Sequence, residues 1–323
     1  MNRFRRALLV PALFLAGCAR HGPEGAAQAP FKIKVQLDWV AEPEHGAFYT
    51  AEALGYFKAE GLDVELLQGG PNAYALAKVG TGQVQLAQSD SANVLVAIQA
   101  GAPLVDVASI FQHDPGVLMM QESNPVRTWA DLAGRTVMAR PEWAFLPYLR
   151  RKYGVDFNVI PHNFDLGRLA VDPNFIQQGY YIAEPYHLEE RGIRLKYLHV
   201  RDTGFDSYTT LVTNRNFTRE HPAELRAFLR ALYRGWKDYI ERDPGPAHSI
   251  MLRINPKVTA GYLDWSRDQI IRAHLARDKE GDYLAMDLAR YARQIGQLEE
   301  LGILRPGAVT AARAADPSFL PAP

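Results

Sequence analysis

The side chains most able to meet a ligand cluster between positions 38 and 45, where Asp38, Trp39, Glu42, Glu44 and His45 share one short loop. Carboxylates accept from amines and ring N–H groups, imidazole donates or accepts, and an indole offers a flat face for stacking. Two more polar endings follow apolar runs: Gln88-Ser89-Asp90-Ser91 and Phe111-Gln112-His113-Asp114. Ser89, Asp90 and Ser91 are helix-capping types, and a cap beside a cleft also presents free N–H groups to a ligand. Asp38 reads either as a ligand group or as a cap for backbone donors. Glu184 sits in an apolar, aromatic run, where a carboxylate needs a partner. Phe111 and Trp143 join the candidate set, although aromatic rings of this kind also fill cores.

Catalytic signatures are missing. The chain has no G-x-S-x-G, no H-E-x-x-H, no phosphate-binding glycine loop and no paired cysteines. His45, His113, His162 and His187 fall on separate predicted loops, so no metal site is expected. The chemistry on offer is recognition of a small molecule.

The elements that must position these groups follow from periodicity. Phe31, Ile33, Val35 and Leu37 alternate with polar residues, the period of a strand. A helix is expected from Glu44 or His45, just after Pro43, to Gly55, and a second alternating run begins at Leu62. Further strands are expected at 84–87, 104–110, 117–120, 135–139, 157–161, 179–183, 195–200 and 208–213. Leu225, Phe228, Leu229, Leu232, Trp236 and Ile240 form one apolar helical stripe. More helices are expected near 259–276 and 283–301. In an open α/β sheet, ligands sit beyond the carboxyl ends of strands, which is where the polar clusters fall.

With 323 residues, 47% of them hydrophobic, the chain can build about two domains with real cores. Lysine plus arginine and aspartate plus glutamate are both 36, and no block of like charge argues for a nucleic-acid partner. The first residues combine Arg3, Arg5 and Arg6 with an apolar run too short for a permanent membrane helix. They end Leu15-Ala16-Gly17-Cys18, which resembles a bacterial lipobox, and Cys18 is the only cysteine. The expected division is a lipoprotein signal peptide at 1–18 and a flexible tether at 19–30. Lobe 1 is then expected from 31–120 and 214–306, lobe 2 from 121–213, and a loose tail over 307–323. A smaller α/β unit inserted in a larger one places a ligand cleft between two α/β lobes.

Several blocks together resemble the SsuA/THI5 (NMT1) family of periplasmic binding proteins. They are LDWVAEPEHGAFYTAEALGYFKAEGLDVELLQGGP (Leu37 to Pro71), WADLAGRTV (Trp129 to Val137), YIAEPY (Tyr181 to Tyr186), AFLRALYRGWKDYI (Ala227 to Ile240) and LEELGIL (Leu298 to Leu304). The resemblance implies the type II periplasmic binding protein fold and ligand delivery to an ABC permease with its ATPase. It further implies an extracytoplasmic protein, acting as a monomer without a cofactor and held to the membrane through lipidated Cys18. In the pyrimidine-binding branch, aromatic rings sandwich the ligand and a carboxylate meets its amine. By that correspondence Trp39 is the first-lobe aromatic, while Tyr180 and Glu184 are the second-lobe pair. The loop VAEPEH departs from the asparagine-rich loop of thiamine-precursor binders, which leaves riboflavin or an alkylsulfonate or nitrate-type anion as alternative ligands. The eukaryotic branch resembles a pyrimidine synthase that consumes a histidine and pyridoxal phosphate. That chemistry also needs a cysteine-rich iron site, and Cys18 alone cannot supply one.

Overall fold

The computed structural model describes residues 29–205, 207–277 and 281–322. The signal sequence, Cys18 and all but the last two residues of the expected tether lie outside this set. Ten strands divide into two mixed sheets of five. The first holds β1 (Phe31–Gln36), β2 (Leu62–Leu67), β3 (Leu86–Asp90), β4 (Leu104–Phe111) and β10 (Thr209–Asn214), in the order β2-β1-β3-β10-β4. The second holds β5 (Gly116–Gln121), β6 (Thr136–Ala139), β7 (Asn158–Pro161), β8 (Ile176–Tyr180) and β9 (Leu195–His199), in the order β7-β6-β8-β5-β9. The alternation seen in β1 is realised: Ile33 and Val35 are buried while Lys32 and Lys34 reach solvent. Its register with β2 is parallel from Phe31↔Leu62 to Gln36↔Leu67.

Strand membership moves the lobe boundaries. β5 pairs antiparallel with β8 and β9, so the chain has already entered lobe 2 at Gly116 rather than at 121. β10 lies antiparallel between β3 and β4, so it belongs to lobe 1, although residues to 213 were assigned to lobe 2. The crossings therefore fall at 112–115 and near 204–208. A strand expected at 179–183 instead ends at Tyr180, and a helix begins at Glu184. Pro185 explains the stop: its missing N–H is tolerated in the first helical turn but not in a sheet interior.

The tail expected to be loose is packed. Val309, Ala314, Ala315 and Phe319 are buried, Ala315 bridges to Asp106 of β4, and Asp316 N donates to Asp106 O at 2.9 Å. Alanine and proline suggested looseness by composition, yet small side chains are what let this segment approach a strand edge. It covers the outer edge of β4, which would otherwise offer unpaired backbone groups to another chain.

In lobe 1 the helix Pro222–Glu241 lays Leu225, Phe228, Leu229, Leu232 and Trp236, all fully buried, against the sheet. It crosses the helix Gly46–Ala53 so closely that a Cβ on Gly235 would lie 2.2 Å from the Ala47 carbonyl oxygen. Within β4, Asp106 is fully buried and accepts from Thr210 Oγ1 and Tyr291 Oη, each at 2.8 Å. Burial lifts its carboxyl to about 8, against the two hydroxyl bonds that pull it down.

The two crossings are held from one side chain. Arg290, on the helix Leu288–Glu300, donates to Gln112 O at 2.6 Å and to Ser207 O at 2.7 Å, and its guanidinium lies 3.7 Å above the Tyr208 ring. The second crossing is gripped again by the end of β3. Ser207 Oγ donates to Asp90 at 2.6 Å, and Tyr208 N donates to Ser91 Oγ at 3.0 Å.

Arg290→Ala should lower unfolding stability by about 3 kcal/mol, since two charge-assisted bonds vanish and two carbonyls lose their donors. Arg290→Lys should recover less than half of that loss, because an ammonium cannot reproduce the planar fork. Chemical denaturation of both variants tests this. Asp106 also sets a sign for pH. The unfolded chain releases that proton near ~4 and the folded chain near 8, so the stabilisation is complete below the lower value and is lost as pH rises to the upper. Denaturation between pH 5 and 8 should show a steeper loss in wild type than in Asp106→Asn.

Candidate ligand-binding cleft

The loop after β1 is shaped by backbone bonds from the glycines at 69 and 70. Gly69 N donates to Trp39 O at 2.7 Å and Gly70 N to Asp38 O at 3.0 Å. Any side chain at Gly69 would strike the Asp38 backbone at 2.3 Å, which accounts for the glycine. The loop then turns through Pro43–His45 into the helix Gly46–Ala53. This places His45, fully buried, against Asp38, with Nε2 3.0 Å from Asp38 Oδ1 and 3.6 Å from Glu44 Oε1.

Four carboxylates converge here from both lobes. Asp38, Glu42 and Glu44 come from the loop, and Glu184 opens a helix of lobe 2. Glu42 accepts from Tyr262 Oη at 2.9 Å. Burial raises its carboxyl to about 7, the Tyr262 bond opposes the shift, and the charges of Glu184 and Asp38 add to it. Glu44 is pushed well above the usual carboxylate range by burial and then by Asp38, Glu42 and Glu184. Glu184 also rises through burial, although it accepts the Tyr180 N–H at 2.8 Å.

Beside this cluster lies a cavity of about 460 Å³, whose lining includes Asp38, Gln88, Ser89, Asp90, Arg140, Glu142 and Tyr180. Asp38, Ser89 and Asp90 come from strand ends of lobe 1, whereas Arg140, Glu142 and Tyr180 come from lobe 2. A second cavity, about 480 Å³, lies against the crossings between Asp114, Arg201, Tyr208 and Arg290. Gln112, His113 and Asp114, from the polar ending after β4, line it, but none of the ligand candidates from Asp38 to Glu184 named above does.

The expected site residues therefore separate. Asp38, Ser89, Asp90 and Tyr180 share the cavity wall, and His45 and Glu184 sit in the adjoining acidic cluster. Trp39 is half-buried, its ring 5.2 Å from Phe164 of lobe 2, and is not among the residues lining the cavity. Ser91 is fully buried and donates to Gln294 Oε1 at 2.9 Å, so it braces the second crossing rather than facing a ligand. Phe111 packs on Trp236 in the lobe 1 core, and Trp143 on Phe145 in the core of lobe 2. Both corrections have one cause: each ring has more apolar surface than the short polar endings around it could leave exposed.

Sequence reasoning passed over Arg140, Glu142, Tyr74 and Phe164. Tyr74, which lines the cavity, and Phe164, which meets Trp39, hold φ of 49° and 59° and are both exposed. A non-glycine residue in the left-handed region costs about 1–2 kcal/mol, and such positions gather at functional sites. No sequence pattern announces them, though Arg140 and Glu142 flank the strand end where Trp143 was chosen.

Asp38, Glu44 and His45 also have the composition of a metal site, with one ligand atom from each within 4.8 Å of the others. The donor set does not fit. A metal on Nε2 would force the proton onto His45 Nδ1, which is buried without an acceptor, whereas ligating histidines have that proton bonded. A proton on Nε2, shared with Asp38 Oδ1 at 3.0 Å, satisfies the observed geometry without a metal.

Among the described residues, no helix is long and apolar enough to cross a membrane. The NMT1/THI5 like family profile matches residues 42–245. The chain is 29% identical over 255 residues to the formylaminopyrimidine-binding protein of Halalkalibacterium halodurans, covering 76% of this chain and 77% of that one. It is 23% identical over 285 residues to the riboflavin-binding protein RibY of Chloroflexus aurantiacus, covering 81% of each. Its fold matches the alkanesulfonate-binding protein SsuA of Xanthomonas axonopodis pv. citri bound to MOPS, at a TM-score of 0.65 and 13% identity, over 89% of this chain and 98% of that one. Two mixed α/β sheets, the order of the elements and the profile match agree: the chain belongs to the NMT1/THI5-like family and has the periplasmic binding protein fold.

Proposed function

We propose that the protein is the solute-binding component of an ABC importer and closes its lobes over a small planar nitrogen heterocycle of the aminopyrimidine type. The observation that carries this is the interlobe cavity: Asp38 of one lobe and Tyr180 of the other face the same space, with Asp90 and Glu142 beside them. A volume near 460 Å³ suits a drug-sized molecule. Carboxylates on both walls suit amine and ring N–H donors, and Tyr180 and the Trp39 ring give faces for stacking. The named binding of formylaminopyrimidine and riboflavin by two relatives supports a flat ring as cargo. A sulfonate or nitrate fits less well, because Arg140 is the only cationic side chain in the lining, among three carboxylates.

The rest of the role follows from position. Lipidation at Cys18 would hold the protein at a membrane surface, each buried methylene contributing roughly 0.8 kcal/mol, and the tether would let it reach its permease. Phe164 resting on Trp39 is a contact made only when the lobes approach, so ligand-driven closure offers the permease a distinct shape to read.

A thermal-shift panel of formylaminopyrimidine, riboflavin and taurine, followed by calorimetry, tests the reading. The pyrimidine should raise the melting temperature. Trp39→Ala should weaken its binding about tenfold or more, in line with ~1–3 kcal/mol for stacking on an aromatic ring. Glu184→Gln should also weaken it. Unchanged affinity in both variants would sink the site assignment, and stabilisation by taurine alone would sink the ligand class.

A further inference from the structure

The floor of the cleft is acidic and has no fixed cation of its own. Among the described residues, no lysine or arginine pairs with Asp38, Glu42, Glu44 or Glu184; the only basic group within ion-pair distance is His45. Three of the four already have proton donors: His45 Nε2 for Asp38, Tyr262 Oη for Glu42 and the Tyr180 N–H for Glu184. Glu44 is different. It is 6% exposed, accepts no hydrogen bond from any described residue, and has His45 Nε2 no nearer than 3.6 Å. A buried carboxylate left without a donor either keeps a proton or waits for a positive charge. Asp38 links this orphan to the open cavity, since it lines that space and also bonds His45.

Aromatic rings surround the same floor. Tyr180 comes from the end of β8 in lobe 2 and Tyr262 from the helix Ala260–Arg272, each close enough to feel the charges of the cluster. A ring of carboxylates and π faces is an environment for an organic cation. The groups facing the floor are Asp38, Glu42, Glu44 and His45 from the loop, Glu184 and Tyr180 from lobe 2, and Tyr262. Arg140 and Asp90 line the cavity beyond them, and Asp114 lies at the first crossing near Tyr180. Even with Arg140 counted, the balance is negative.

We propose that the cleft selects a positively charged ring, whose charge is met by Glu44 and Asp38 while its faces lie against the aromatic walls. This rests on the reading of the cleft as a heterocycle site and narrows it to a cationic ligand, or a basic one taken up in its protonated form. The balance is simple: a permanent cation entering the cleft displaces a proton from the cluster to solvent. A neutral basic ring instead takes that proton, so it is bound as its conjugate acid. Burial lifts the Glu42 carboxyl to about 7 and pushes that of Glu44 well above the usual carboxylate range, in keeping with such an exchange.

The test uses the intact protein and three probes: 4-amino-5-hydroxymethyl-2-methylpyrimidine, thiamine as a permanent cation bearing an aminopyrimidine, and riboflavin as an uncharged flat ring. At pH 8 the bound pyrimidine should show the ultraviolet spectrum of its protonated ring, although the free compound is neutral there. Thiamine affinity should tighten as pH rises from 6 to 8, by up to about tenfold per unit for each proton displaced. Glu44→Gln should weaken the pyrimidine about tenfold and restore the neutral-ring spectrum. Glu42→Gln, which keeps an acceptor for Tyr262, supplies the same comparison should the first variant fold poorly. A bound pyrimidine with a neutral-ring spectrum overturns the charge proposal and leaves the heterocycle reading standing. Riboflavin binding alone among the three does the same. If none of the three binds and taurine does, the heterocycle reading itself fails.

Discussion

Two short crossings join the lobes, and the Arg290 guanidinium bonds to both. Its two N–H groups reach Gln112 O on one crossing and Ser207 O on the other, while its plane rests on Tyr208. A planar fork suits this task because it aligns two carbonyls at once, where a flexible ammonium would hold one loosely. The cavity walls come from opposite lobes, so their spacing is set at this point. Asp90 extends the control into the cleft. It caps the helix Ser91–Gln99, takes the Ser207 hydroxyl at the crossing, and lines the cavity. A ligand touching Asp90 therefore touches the hinge through one side chain.

Charge is the second organising constraint. Buried acids recur in which desolvation outweighs any nearby base: Asp106 within β4, Asp114 at the first crossing despite Arg140 and Arg290, and Glu42 and Glu44 at the cleft floor. For each, desolvation is the largest influence and raises the pKa, so these groups hold protons that ordinary surface acids would lose. At Asp106 two hydroxyls complete a closed network that does structural work only. At the cleft floor Glu44 stays open. The same physics yields a sealed core group in one place and a receptive one in another, and the difference is whether neighbouring donors are present.

Much of the fold was legible because its signals are local. The alternation through Val35, the stripe from Leu225 to Trp236 and the glycine stops each depend on residues a few positions apart. Lobe membership was not local: β5 and β10 are decided by partners far along the chain, and nothing in Val117 to Met120 names β8 and β9. The site divided in the same way. Asp38, His45 and Asp90 follow strand ends and could be read from order alone. Phe111, Trp143 and Ser91 could not, since their burial depends on Trp236, Phe145 and Gln294, which arrive from elsewhere. Phe164 was invisible for another reason: its place is fixed by a left-handed backbone, not by its type.

The C-terminal segment that covers β4 gives the two lobes different histories. Lobe 2 is one unbroken stretch of chain, from β5 to β9, and has all its strands once residue 199 has been made. Lobe 1 cannot close so early. Among the described residues β3 and β4 are bridged by β10, and Asp106 receives Tyr291 and the Asp316 amide only after positions 291 and 316 have been added. Long-range pairings of this kind are slow to form. The larger lobe thus stays incomplete until residues 291 to 316 have joined the sheet formed by the earlier strands.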